Sequence, residues 1–194
     1  MKKLIALLLA LVMMLSMAAC QSSDNNEEDE NENVEKTVNS SLEVLEKVWE
    51  AYGEDEMFPV IGGNMESPVD GAPGNYDMTY AENLTYNLLI PADQLANVDE
   101  AATMIHMMNA NTFTAGVVHL TEGTDAAAFA ETMQGAIQSN QWMCGFPDSL
   151  LIVVFDGEYV LVAYGVNDAM DPFQTHLEET YPEAEILYDE AIAG

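Results

Sequence analysis

The 194-residue chain has almost no positive charge. It contains four lysines, no arginine and 34 acidic residues, which give a formal net charge of −30 at pH 7. A charge of this size repels the phosphates of nucleic acids and the surfaces of anionic membranes. The composition therefore argues against a nucleic-acid partner.

Cysteine is nearly as scarce, because only Cys20 and Cys144 are present. Cys20 ends an N-terminal apolar segment that we interpret below as a lipidation signal, which would leave Cys144 alone. An internal disulfide is then excluded. The domain must be held together by its hydrophobic core, and about 160 residues are enough to build one.

Long apolar runs are absent outside the N terminus. There, Lys2 and Lys3 precede the uncharged residues 4–17 and the pair Ala18-Ala19, a pattern typical of a secretory signal. Residues 15–20 resemble a bacterial lipobox, with Met where Leu is more usual. This resemblance implies removal of residues 1–19 and a diacylglyceryl anchor on Cys20, on the extracytoplasmic face of the cell membrane. The alternative is an uncleaved anchor, for which the apolar segment is short.

The remaining sequence divides into three parts. Residues 20–33 include the lipidation site and a densely acidic stretch without apolar residues, which predicts a disordered tether. Residues 34–111 predict a helical and irregular N-terminal part. Residues 112–194 predict a regular unit of helices and strands.

The N-terminal part begins with a clear helix signal. Residues 34–52 are predicted to be helical, because Ser40 and Glu43 form a capping box and apolar residues recur at helical spacing from Val38 to Tyr52. Residues 54–76 are rich in proline and glycine and predict a long irregular connection. Residues 80–89 fit a helix or a strand, and the pattern of residues 98–108 favours a helix.

The regular unit predicts strand 112–120, helix 124–140 capped by Thr124, a hairpin over 150–165, helix 169–181 and strand 184–189. Asp156-Gly157, between the two apolar runs of the hairpin, predicts a type I′ turn that pairs Phe155 with Glu158.

This β-α-β-β-α-β order predicts an α+β fold of the ferredoxin-like split type, with two helices on one face of a four-stranded antiparallel sheet. Both faces of the hairpin are apolar, so the second face also needs a cover. We expect residues 34–108 to pack there as an N-terminal extension. The alternatives are a dimer interface and a groove for an apolar ligand.

Cys144 is the main candidate for chemistry. As a thiol nucleophile it would need a positive setting and a base, such as His119 or His176. The sequence shows no positive charge nearby, so we favour a buried Cys144 in a tight turn, with Trp142 and Phe146 closing the edge of the core. We therefore expect no catalytic residue.

Methionines cluster around His106 and raise the question of a soft copper site. On a helix, however, His106 would point away from Met104 and Met108. Three histidines without a spacing motif do not predict a zinc site either. We therefore expect no metal and no cofactor.

Several runs resemble a group of small lipoproteins of Gram-positive gut bacteria. They are the lipobox and acidic tether, Phe58-Pro59, MMNANTF at 107–113 and QWMCGFPD at 141–148. The group is similar to a family built around a C-terminal α/β domain of unknown function, and the resemblance brings no catalytic residues. Some relatives are labelled bile-acid transporters. For a chain without later membrane spans, this implies at most an accessory binding protein.

These observations predict a non-enzymatic, membrane-anchored extracytoplasmic lipoprotein that binds a partner protein or a small ligand. The alternatives are an accessory solute-binding component of a transporter and a thiol-dependent enzyme that uses Cys144 with His119. A ligand pocket is expected between the sheet and the N-terminal helices, although the same aromatic residues could simply form core. Its candidate residues are Trp49, Phe58, Trp142, Cys144 and Phe146.

Overall fold

An eight-stranded antiparallel sheet joins the N-terminal part of the chain to the regular unit. The computed structural model describes residues 36–108 and 112–193. The predicted signal peptide, the lipidation site at Cys20 and the tether lie outside the described residues. The expected α+β class is confirmed. Within the described ranges, no helix combines the length and the apolar character needed to cross a membrane.

The elements follow one another as short, regular segments. The α-helices are α1 (Ser41–Glu50), α2 (Leu84–Asn87), α3 (Ala126–Gln138) and α4 (Asn167–Thr180). The strands are β1 (Val60–Asn64), β2 (Ser67–Asp70), β3 (Gly74–Asn75), β4 (Val98–His106), β5 (Phe113–Leu120), β6 (Ser149–Phe155), β7 (Tyr159–Gly165) and β8 (Glu185–Ala191). Two 3₁₀ helices cover Met78–Asn83 and Leu95–Asn97. The strand order is β2-β1-β4-β5-β7-β6-β8, and β3 pairs with β4.

Side-chain caps set the start of the first and third helices. Ser40 accepts a hydrogen bond from the Glu43 amide at 3.1 Å, and the Glu43 carboxylate accepts one from the Asn39 amide at 3.0 Å. Ser40 is therefore confirmed as the N-cap, whereas the second bond of the predicted capping box is shifted, because Glu43 accepts from the amide of Asn39 and not from that of Ser40. In α3 the cap is Asp125, which accepts from the Ala127 and Ala128 amides, and the predicted cap at Thr124 is wrong. The predicted apolar face of α3 is buried as expected: Ala126, Phe129, Ala130, Met133 and Ile137.

The hairpin of β6 and β7 has the predicted turn but a shifted register. Asp156 and Gly157 have φ of 51° and 72°, as a type I′ turn requires. Phe155 nevertheless pairs with Tyr159, so the predicted pairing with Glu158 is wrong. Glu158 is an extra residue between the turn and the ladder: its amide donates to the Phe155 carbonyl at 3.1 Å, which closes the turn, and its carbonyl accepts the Leu120 amide at 2.8 Å.

The prediction of a helix over residues 98–108 is wrong, because Val98–His106 forms strand β4. Alanine and methionine favour helices in isolation, but β4 pairs along its length with β5, and this tertiary pairing decides its conformation. The predicted irregular connection 54–76 likewise contains strands β1 to β3. A Cβ on Gly62 would lie 2.1 Å from the Gly74 nitrogen, so only glycine allows these backbones to approach so closely.

The order β5-α3-β6-β7-α4-β8 matches the expected β-α-β-β-α-β sequence of elements, but the ferredoxin-like arrangement is not confirmed. β4 already pairs with the outer edge of β5, and β8 pairs with β6 instead. The connection β5-α3-β6 and the connection β7-α4-β8 therefore both cross the sheet in the direction of β8. Their starting strands, β5 and β7, run antiparallel to each other. Right-handed crossovers then place the two helices on opposite faces, so the expectation that both helices share one face is wrong.

Both faces of the hairpin are covered within the chain. On the α1/α4 face, side chains of α1 and α4 pack on the sheet, with Leu45 and Phe173 fully buried. On the α3 face, α3 packs beside α2 and the residues that follow it, with Leu88 and Phe129 in the core. The N-terminal part thus contributes strands to the sheet and covers portions of both faces.

Candidate functional site

The two ends of the sheet carry different chemistry. At one end lie the end of β4, the start of β5, the end of β7 and the start of β6, and we call this the cleft end. At the other end lies the hairpin turn at Asp156 and Gly157, and we call this the turn end. One seven-residue strand such as β7 separates them by about 20 Å.

A cleft of about 230 Å³ opens at the cleft end, between α2, the segment after β4 and the loop that precedes β6. Its aromatic lining residues are Tyr86, Phe113, Trp142 and Tyr164. Other lining residues include Asn87, His106, Met108, Thr114 and Cys144. Aromatic walls with a few polar groups are typical of small-molecule sites.

The back of the cleft is held by tyrosine hydroxyls. The Tyr164 hydroxyl donates to the Asn87 carbonyl at 3.2 Å, and the Tyr76 hydroxyl donates to the Asn87 side-chain oxygen at 2.9 Å. Burial raises the pKa of Tyr164 to about 12, so its hydroxyl stays a neutral donor at pH 7. The Trp142 ring lies against Tyr164, with centroids 5.3 Å apart. Trp142 and Tyr164 therefore form one packed wall.

Exposed apolar side chains lie in the segments that line the cleft. Tyr86 is 81% exposed, Met108 54%, Met143 87% and Phe146 68%. They lie in α2, in the segment that follows β4 and in the loop before β6, which also supply lining residues. Large apolar side chains that remain exposed around a concavity are typical of ligand or partner surfaces.

His106 contributes to the cleft as an uncharged ring. It stacks on Phe58 with centroids 5.1 Å apart, and its Nδ1 accepts the Met108 amide at 2.9 Å. Burial lowers the pKa of His106, so the ring is neutral at pH 7 and carries its proton on Nε2. Among the residues that the structure describes, the cleft lining contains no Lys, Arg, Asp or Glu. The described walls of the cleft are therefore uncharged at neutral pH.

The structure brings together only two of the five residues predicted for a pocket. Trp142 and Cys144 line the cleft. Trp49 and Phe58 lie in an aromatic cluster on the α1/α4 face, with ring centroids 5.4 Å apart. Phe146 is exposed beside the cleft and is not among its lining residues.

Cys144 does not have the predicted buried setting. It is exposed, whereas Pro147, in the same loop, is buried. His119 lies at the turn end, with Nδ1 2.5 Å from the Asp99 carboxylate. His176 lies on α4, with Nε2 3.5 Å from Glu56. Neither predicted base therefore shares the cleft with the thiol.

The methionines around His106 separate in the structure. Met104 is fully buried in the core of the α1/α4 face, whereas Met107 and Met108 are half exposed. Within residues 36–108 and 112–193, no group of three or more His, Cys, Asp or Glu side chains is placed to hold a metal ion.

The turn end is charged and fixes the start of the described chain. The Asp156 carboxylate accepts from the Thr37 amide and hydroxyl, both at 2.8 Å, and from the Val38 amide at 3.0 Å. Lys36 pairs with Glu158 at 2.6 Å. We call residues 36–38 the N-terminal strap.

No family model, no curated protein and no solved structure matches this chain. The cleft is therefore interpreted from its own geometry. The unusual composition around Trp142 and Cys144 made these two residues visible in the sequence. Tyr86, His106 and Tyr164 come from three other segments, and no local signal marks them as neighbours.

Proposed function

We propose that the chain is a non-enzymatic lipoprotein, anchored through Cys20 to the extracytoplasmic face of the cell membrane, that binds an apolar group in the cleft. The group belongs to a small ligand or to a partner protein. The observation that supports binding most strongly is the uncharged aromatic cleft, whose lining includes the exposed side chains of Tyr86 and Met108. The lipobox and the acidic tether support the anchor.

Binding can be followed with the chain's own two tryptophans. A Trp49→Phe variant of residues 34–194 leaves Trp142 in the cleft as the single tryptophan. We expect the neutral dye N-phenyl-1-naphthylamine to bind saturably and to accept energy from Trp142, because apolar burial supplies the affinity. The dye's own emission gives a second readout.

The control separates cleft binding from unspecific binding. In the chain that retains Trp49, Trp142→Ala should abolish dye binding while circular dichroism stays unchanged. His119→Ala, at the turn end, should leave the dye affinity unchanged. Dye binding that survives Trp142→Ala in a folded protein would refute the cleft as the binding site.

The anchor is tested in cells that express the full chain. Metabolic labelling with an alkyne fatty acid should mark the protein and place it in the membrane fraction. Cys20→Ala should lose the label and release the protein, whereas Cys144→Ala should keep both. A membrane-bound, unlabelled wild-type chain would instead favour the uncleaved anchor.

A thiol-dependent enzyme is the second candidate, because Cys144 is exposed and lines the cleft with His106. Iodoacetamide alkylation of the native domain at pH 7 distinguishes the two functions. We expect a rate close to that of a small peptide thiol, because no cation lies among the described lining residues to favour the thiolate. An acceleration of about tenfold or more would support the enzyme.

A further inference from the structure

We infer that the cleft selects a small organic cation, of the quaternary ammonium or protonated amine class, over neutral and anionic molecules of the same shape. The inference rests on the proposed function, because it assigns a ligand class to the same cleft.

Aromatic faces supply the attraction. Tyr86, Trp142 and Tyr164 line the cleft, and Tyr86 is largely exposed beside the two packed rings. The face of an aromatic ring carries partial negative charge and attracts a cation that approaches within about 6 Å of its centre. Tyr86 is exposed and Trp142 is partly buried, so a ligand in the cleft reaches these two rings, whereas Tyr164 is only 4% exposed.

The charges of the chain work in the same direction. Of its four lysines, only Lys36 and Lys47 fall within the described residues, and each pairs with a glutamate. Lys36 lies at the turn end, and Lys47 lies on α1. No described lysine therefore lines the cleft, and an anion would lose its hydration there without gaining an ionic partner.

The long-range field adds to this preference. The net charge of the whole chain, −30, attracts cations and repels anions. Salt screens this field over about 10 Å at 0.1 M, whereas the contact between a cation and a ring face persists. An ionised bile acid is a carboxylate, so both effects disfavour it in this cleft.

Three molecules of matched shape test the inference: choline, its neutral isostere 3,3-dimethylbutan-1-ol, and the anion 3,3-dimethylbutanoate. Each is titrated into the Trp49→Phe domain, and Trp142 fluorescence is recorded at about 0.1 M and about 1 M NaCl. We expect choline to bind about fivefold more tightly than the neutral alcohol at both salt concentrations, and the anion to bind least.

Substitution of Tyr86 tests the ring itself. Tyr86 is 81% exposed, so Tyr86→Leu keeps an apolar side chain and should leave the fold intact. We expect it to weaken choline binding about threefold and to leave the alcohol unchanged. Tyr80→Leu is the control, because Tyr80 is partly buried and not among the lining residues, and it should change neither affinity.

The remaining outcomes are distinct. Equal affinities for choline and the alcohol, or tighter binding of the anion, would overturn the cation preference. If N-phenyl-1-naphthylamine binds in the cleft and choline does not, the cation preference is also overturned. The proposed binding function would then stand. If the dye does not bind in the cleft either, the proposed function and this inference both fail.

Discussion

Single glycines and tyrosines show how the surroundings of a residue decide its contribution. Gly62 and Gly135 are the same residue type in opposite settings. A Cβ on Gly62 would meet the Gly74 nitrogen at 2.1 Å, whereas a Cβ on Gly135, in α3, would meet nothing within 4 Å. Position 62 therefore has no room for a methyl group, whereas position 135 has open space for one.

Gly62→Ala should lower the free energy of unfolding by about 3 kcal/mol, because β1 and β3 must separate. Gly135→Ala should raise it by about 1 kcal/mol, because alanine favours the helix. Urea unfolding followed by circular dichroism measures both. Equal stabilities of Gly62→Ala and the wild type would show that β3 does not pack on β1 as described.

Buried tyrosines provide a second comparison. The hydroxyls of Tyr52 and Tyr181 are buried without a hydrogen-bond partner among the described residues, whereas that of Tyr164 bonds to Asn87. Removing an unpartnered hydroxyl relieves a desolvation cost, so Tyr52→Phe should raise the free energy of unfolding by about 1 kcal/mol. Tyr164→Phe should lower it by about 1 kcal/mol. Thermal and urea unfolding at pH 7 measure both variants. Changes of the same sign in the free energy of unfolding of Tyr52→Phe and Tyr164→Phe would contradict this prediction.

At the scale of elements, the sequence predicted those whose apolar period is unambiguous. α3, α4 and the β6–β7 hairpin are found where the pattern placed them, to within a few residues, whereas α1 begins at Ser41 and not at residue 34. β4 was missed because its alanines and methionines favour helices and because both of its faces are buried. The hairpin register was missed because the connection has one residue more than a two-residue turn, with Glu158 placed between the turn and the first ladder pair, and Asp156-Gly157 alone does not reveal this extra residue.

The same reasoning explains what could be predicted of the site. Trp142 and Cys144 lie in one distinctive run and could be found locally. Their neighbours in the cleft come from α2, β4 and β7, and only the strand order brings them together. Because β4 was wrongly predicted as a helix, it was absent from the predicted sheet, and the position of the cleft beside its end could not be predicted.

The N-terminal strap gives a prediction for an element. Asp156→Asn keeps a residue that tolerates positive φ but removes the charge that accepts three hydrogen bonds. The free energy of unfolding should fall by about 1.5 kcal/mol, because these bonds involve a charged acceptor. Hydrogen exchange at the Val38 amide should accelerate. Exchange at the Val117 amide, in the centre of the sheet, should accelerate only as far as the lower free energy of global unfolding requires.

The control for the strap is Glu122→Gln, which removes one negative charge at the same end of the sheet. It should leave the Val38 amide unchanged. Equal acceleration in both variants would assign the effect to general electrostatics and contradict the role of Asp156.

At the scale of the whole molecule, like charge opposes the compact state. With a net charge of −30, repulsion among carboxylates is relieved on unfolding and weakened by salt. The Tm at pH 7 should therefore rise by about 5 °C between about 0.01 M and about 0.5 M NaCl. Near the isoelectric point of about 4.1 the rise should largely vanish. A Tm that falls with salt at pH 7 would show that specific ion pairs outweigh the repulsion.

The attachment of the N-terminal strap to the hairpin turn also has a mechanical consequence. A pull on residue 36 enters the sheet through Asp156, at the tip of β6 and β7, which β5 and β8 flank on either side. A molecule held in the cleft pulls from the opposite end, so the load runs parallel to the strands. The ladder hydrogen bonds then share the force in shear and are not opened one after another. The domain would therefore resist tension along the line from residue 36 to a molecule in the cleft more strongly than tension across the sheet.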